Sequence, residues 1–194
     1  TGAGRTPRLG EVARGGTDAI LVGEALVVAA DTADQVRTLA GFTPRVKVCG
    51  FTTLEDAQAA LAAGVDMLGF NFYPKSKRYL KPAACERIVK GLGPVAQRVT
   101  LVGVFVNASL DEVNAIMERC GLDLAQIHGD ESPAYLQALG GRAFRGIRPA
   151  SAEQARADAA RFARVARPAL LVDAYQAGAY GGTGHVGDWT LARD

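Results

Sequence analysis

Short runs of β-branched and large apolar residues alternate with alanine-rich amphipathic stretches, and that alternation leaves few folds open. The apolar runs fall at residues 18–23 (DAILVG), 45–49 (RVKVC), 66–72 (DMLGFNF), 99–106 (VTLVGVFV), 122–128 (LDLAQIH), 143–147 (AFRGI) and 168–173 (PALLVD). Most are nearly continuous in apolar character, as strands covered on both faces must be. Helical patterns lie between them. One spans 54–63, with Thr53 as its cap, Glu55 and Asp56 in the first turn and Gly64 past its end. Another spans 109–120, with Ser109 as cap, Asp111 and Glu112 in the first turn and Gly121 beyond it; a third covers 151–165. Strand and helix in strict alternation predict an α/β fold with a parallel sheet.

Two parallel architectures compete. A Rossmann sheet asks for GxGxxG after its first strand, and Cys49-Gly50-Phe51-Thr52 is no such phosphate fingerprint. Polar or reactive residues instead end several strands: Cys49, Asn107, His128 and Asp173. Functional groups at many C-terminal strand ends are what a (β/α)₈ barrel of the TIM type presents. Each of these residues, taken singly, is equally a strand-ending turn residue; four in register favour the barrel.

The chain has 194 residues, a formal charge of +2, 48% hydrophobic and 22% charged residues. That length suits an ordinary globular domain with a real core. Charge near zero and mixed in sign gives no support to a nucleic-acid or membrane partner. No apolar run approaches a membrane span and no signal peptide is evident, so a cytoplasmic protein is expected. Cys49, Cys85 and Cys120 are widely spaced, which favours neither a disulfide framework nor a zinc site. With only His128 and His185 as histidines, no metal is expected.

From Val46 onward the chain resembles the phosphoribosylanthranilate isomerase family, on the blocks KVCGFT (47–52), LGFNFYPKSKRY (68–79), VGVFVN (102–107), QIHGDE (126–131) and VDAYQAGAYGGTG (172–184). The resemblance implies an isomerase of tryptophan biosynthesis that performs an Amadori rearrangement of a phosphoribosylamine of anthranilate, without metal or organic cofactor. Such chemistry needs an acid at the ring oxygen and a base at the neighbouring carbon. The resemblance makes Cys49 the base and Asp173 the acid. It gives Arg78 to the anthranilate carboxylate, His128 to the pocket wall, and Gly181, Gly182, Thr183 and Gly184 to a loop over the small-molecule substrate.

Residue chemistry alone leaves alternatives beside those roles. Cys49 must be a thiolate to act as a base, and Lys47, two positions back on the same strand face, could help; a small buried core residue is the other reading. Leu170-Leu171-Val172 leads into Asp173 and could desolvate it, but a turn aspartate fits too. His128 is also readable as a satisfied structural histidine, and the glycine loop as a simple turn. Lys75 and Lys77 read as solvated charges, Cys85 and Cys120 as helix core.

Residues 1–44 have another affinity. The stretch 15–26 (GGTDAILVGEAL) resembles the last strand and helix of indole-3-glycerol phosphate synthase, with Ala25 where serine is common. This implies a domain division at 1–44 and 45–194, with the junction near Gly41 and Pro44, as in a fused bifunctional enzyme. About seven strands are countable, the N-terminal one outside the isomerase block included, against eight in a complete barrel. An isomerase-like barrel cut short by two strand–helix units is therefore expected. The competing expectation has the N-terminal strand beside the Val46 strand, giving an incomplete barrel that at most binds sugar phosphates. Open barrel edges would favour self-association.

Overall fold

The computed structural model describes residues 45–163 and 168–173, and the backbone of residues 19–22. Among these, seven parallel strands form one sheet in sequence order. They are β1 (Ala19–Val22), β2 (Arg45–Cys49), β3 (Met67–Asn71), β4 (Thr100–Phe105), β5 (Leu124–Ile127), β6 (Ala143–Ile147) and β7 (Leu170–Val172). Helices fill the crossovers from β2 to β7: α1 (Leu54–Ala62), α2 (Pro82–Leu92), α3 (Leu110–Cys120), α4 (Pro133–Ala138) and α5 (Ala152–Phe162). A sheet whose every neighbour follows in sequence has no switch point, and this one curls as part of a barrel. The doubly wound alternative, which reverses its strand order, is thereby set aside. β1 pairs with β2 from Ala19↔Arg45 to Val22↔Val48, the place expected for the N-terminal strand.

Alternation along each strand sorts residues between two apolar layers. Val46, Leu68, Phe70, Leu101, Phe105, Ala125 and Ile127 face the helices. They meet Ala57 of α1, Cys85 and Ile88 of α2, and Val113 and Met117 of α3. A smaller cluster fills the concave side: Met67, Val102 and Phe144, with Leu124 and Leu171 against them. Lys47 and Cys49, out of phase with Val46 and Val48, fall on that concave side.

The N-terminal ends of the strands are tied by carboxylates. Asp66, just before β3, accepts from Val46 N at 2.6 Å. Asp123, just before β5, accepts from Leu101 N at 2.7 Å. Each bond satisfies a backbone donor of a neighbouring strand at its first turn into the sheet.

Helix starts follow the expected caps: Thr53, Ser109 and Ser151 each accept from the backbone N–H three residues on. Gly121 ends α3 in the left-handed region at φ 63°. The helix expected over 151–165 is shorter, because Ala163 is already extended. α2 and α4 begin with proline at the first helical position, where a missing N–H costs nothing. Cys85 and Cys120 lie buried where α2 meets α3, and Cys120 Sγ donates to Pro82 O at 3.4 Å. The hydrogen bond between the two thiols, then burial, pushes Cys85 far above the ordinary thiol range, so it is an inert core group. On the surface of the same pair, Lys90 and Arg119 hold the Glu86 carboxyl down at about 2.

Candidate active site

Cys49 ends β2 partly exposed, in a seat shaped by the next strand. A Cβ on Gly69 of β3 would lie 2.6 Å from Cys49 Sγ and 3.0 Å from Cys49 Cα, so any side chain there would displace the thiol. Gly50 follows at φ 95°, and a Cβ on it would meet Arg78 Cδ at 2.3 Å. The missing side chain lets Arg78 lie over the backbone beside Cys49, with Nη1 3.5 Å from Cys49 O. Arg78 is half-buried rather than the exposed loop charge its sequence context suggests, while Lys75 and Lys77 are exposed. Lys47, one strand pitch deeper, is 3% exposed, and its Nζ has no hydrogen-bond partner among the described residues.

Across the concave face stands a second group. His128, just past β5, is 3% exposed. Its ring lies against Gly146 of β6, where a Cβ would come within 2.4 Å of Nδ1. Its Nε2 is 3.4 Å from Asp173 Oδ2, within ion-pair reach but outside hydrogen-bond alignment. Gln126, also buried, places its side-chain nitrogen 2.9 Å from His128 Nδ1. Asp173 follows β7 and is fixed through its own N–H, which donates to Ile147 O at 2.9 Å. The structure thus brings Cys49 together with Arg78, and His128 together with Asp173. Gly181, Gly182, Thr183 and Gly184 lie outside the described residues.

Asn107, the fourth strand-end residue, has another role. It sits exposed at φ 54°, and its Oδ1 accepts from Asp130 N at 2.7 Å. Its own N–H donates to Glu131 Oε1 at 2.7 Å. It is a brace between the loops after β4 and β5. Glu131 is the hub of that brace and was not singled out by sequence reasoning. Its Oε2 accepts from Gly129 N at 3.0 Å and from Arg145 Nη1 at 2.7 Å. Arg145 also donates to Gly129 O. Its guanidinium carbon lies 4.9 Å from the Phe162 ring centroid. Arg145 faces the helix layer, so this buried pair supports the floor under His128 and does not enter the concavity. The signal was present as QIHGDE followed by the arginine of AFRGI, but the pairing crosses a helix.

Among the described residues, no cluster of three His, Cys, Asp or Glu side chains is arranged to hold a metal ion. No described helix is long and apolar enough to cross a membrane.

A thiol, an imidazole, a carboxylate and a guanidinium on the loop side of one curled parallel sheet define an enzyme of the (β/α)-barrel class, working on a small molecule at its C-terminal strand ends. The family model for N-(5′-phosphoribosyl)anthranilate (PRA) isomerase matches residues 46–194. An N-(5′-phosphoribosyl)anthranilate isomerase from Citrifermentans bemidjiense is 48% identical over 148 residues, 76% of this chain and 68% of the relative. The crystal structure of phosphoribosyl anthranilate isomerase from Thermotoga maritima superposes with a TM-score of 0.64 at 33% identity, covering 76% of this chain and 69% of that one. A further structure, solved in complex with reduced 1-(o-carboxyphenylamino)-1-deoxyribulose 5-phosphate, gives 0.59 at 32% identity over 68% of this chain and 66% of that one. The chain belongs to the N-(5′-phosphoribosyl)anthranilate isomerase family, isomerases of tryptophan biosynthesis.

Proposed function

We infer that the chain isomerises N-(5-phosphoribosyl)anthranilate to 1-(2-carboxyphenylamino)-1-deoxyribulose 5-phosphate, with Asp173 as general acid and Cys49 as general base. Asp173 gives its proton to the furanose ring oxygen as the C1–O bond breaks. The anthranilate nitrogen lone pair forms the C1=N bond in the same step. The Cys49 thiolate then removes the C2 proton, and the C2–H electrons form C1=C2 while the iminium nitrogen regains its lone pair. Loss of the C2 hydroxyl proton and protonation at C1 complete the keto product. Arg78 binds the anthranilate carboxylate, for which a guanidinium is the natural partner. His128 lines the pocket, and residues 181–184 cover the substrate.

One observation supports these roles above the others. The thiol and the carboxylate each end a strand on the concave side, the thiol in a residue whose backbone carbonyl takes the Arg78 guanidinium at 3.5 Å and the carboxylate beside an imidazole. Cys49→Ser and Asp173→Asn test it: each should lower kcat by about 10²-fold or more, with the far-UV spectrum and melting cooperativity retained. Turnover near wild type in either variant removes that residue from its role.

Residues 1–44, on this reading, are the C-terminal tail of an indole-3-glycerol phosphate synthase joined ahead of the isomerase in a cytoplasmic bifunctional enzyme. The family match beginning at residue 46 and the parallel docking of β1 on β2 support it. β1 and β7 are the sheet edges among the described residues, so self-association through them is part of the proposal. Sedimentation of the purified chain tests that point: a concentration-independent monomer rejects it.

A further inference from the structure

We propose that Gln126 is a positioning residue for the isomerisation: it fixes the tautomer of His128, and His128 in turn orients the carboxyl of Asp173. The proposal rests on Asp173 being the acid. Gln126 and His128 project from the concave side of β5 two residues apart, and they are 2% and 3% exposed. Burying a primary amide in a barrel interior is costly unless it is hydrogen-bonded. Its nitrogen has one partner among the described residues, His128 Nδ1 at 2.9 Å.

The chemistry of that contact is directional. An amide nitrogen offers only protons, so Nδ1 must present its lone pair. The single ring proton then sits on Nε2, which is the nitrogen 3.4 Å from Asp173 Oδ2. The reverse amide orientation would turn its carbonyl to Nδ1–H and leave two N–H donors buried. In this interior another donor, Lys47 Nζ, already lacks a partner among the described residues, whereas Gln126 Oε1 is a single unpaired acceptor. An unsatisfied acceptor is the less costly of the two. The ring occupies the space that a side chain at Gly146 would fill, since a Cβ there would come within 2.4 Å of Nδ1 and 2.8 Å of Cε1.

A neutral ring with its proton on Nε2 faces Asp173 Oδ2 as a donor. The 3.4 Å separation is of the kind that tightens when substrate closes the site. An imidazolium in the same place would favour the ionised form of Asp173 and so disarm it. Gln126, with its nitrogen toward Nδ1, offers that atom only protons. Among the described residues, the other charged or titratable groups on the concave side are Lys47 and Cys49 of β2, and Arg148 follows Ile147, whose carbonyl accepts from Asp173 N–H. These are the same in every Gln126 variant.

The test combines ¹⁵N-histidine NMR with kcat–pH profiles of wild type, Gln126→Glu, Gln126→Met and Asp173→Asn. The chain has only two histidines, so the ring signals are assignable. Wild type should show His128 unprotonated at Nδ1 and protonated at Nε2. In Gln126→Glu a carboxylate faces Nδ1, the ring gains its second proton, and the basic limb of kcat moves about one pH unit lower. Activity lost at neutral pH should return in mild acid, which a folding defect would not do. Gln126→Met has similar volume and no polar atom; its kcat should fall about tenfold, part of what a positioned acid contributes, with no shift of the limb. A protonated Nδ1 in wild type overturns the proposal without any variant. So do wild-type profiles in both Gln126 variants while Asp173→Asn is inactive. If Asp173→Asn keeps its turnover, the acid reading has failed and the proposal falls with it.

Discussion

The two ends of the parallel strands are built on different principles. At the N-terminal ends, Asp66 and Asp123 spend their carboxylates on backbone N–H groups of adjacent strands. At the C-terminal ends, buried polar side chains face one another across the concavity, and glycines rather than apolar residues stand behind them. The contrast shows how one sheet separates stability from chemistry: the floor satisfies the main chain, and the rim holds groups that are incompletely satisfied until a ligand arrives.

Breaking the rim where it is most densely bonded should cost most. Glu131→Ala strips Arg145 of its carboxylate in a site where the two side chains are 10% and 5% exposed. A loss of about 3–5 kcal/mol in denaturant stability is expected for an uncompensated buried charge. A loss below about 1 kcal/mol would show that the Phe162 ring and the Gly129 carbonyl suffice. Arg78→Ala should weaken substrate binding by about 1.5–3 kcal/mol, read as a rise in KM with the melting temperature little changed. An unaltered KM would make Arg78 a packing residue over Gly50. Gly69→Ala should cost about 1–3 kcal/mol through overpacking and lower kcat as well, because the methyl group displaces Cys49; a stability loss with normal kcat would separate the seat from the thiol. Mildest of all, Asp123→Ala at the opposite end should cost about 1 kcal/mol for the orphaned Leu101 N–H and leave kcat unchanged. A change in kcat there would erase the distinction between the two ends.

Legibility in the sequence follows the same division. Helix starts were readable because Thr53, Ser109 and Ser151 act on residues three positions away. The strand ends Cys49, His128 and Asp173 were readable because they break otherwise apolar runs. Which way each strand faces was less so: with apolar layers on both sides, Lys47 against Val46 gives direction in β2, whereas β4 has only Thr100, at its first position, to mark its inner face. Arg145 of β6 turns to the helix layer, where Phe162 and Glu131 receive it. Its partners lie on a loop before α4 and at the end of α5, and no local pattern joins them. Asn107 shared the strand-end signature but braces Asp130 and Glu131 instead. Polar character alone does not tell a brace from a reactant.

The glycine behind Cys49 has a consequence for how this site can change. A thiol seated 2.6 Å from where a Cβ would stand leaves the neighbouring strand no freedom while the sulfur is present. Remove the sulfur, and the 2.6 Å contact goes, while the Cα of residue 49 still stands 3.0 Å from a Cβ at position 69. The two positions therefore form a lock in which one substitution is most harmful first and less harmful second. A lineage that drifts to a larger residue at position 69 after losing Cys49 cannot regain the thiol in a single step, so the route out of this chemistry is shorter than the route back.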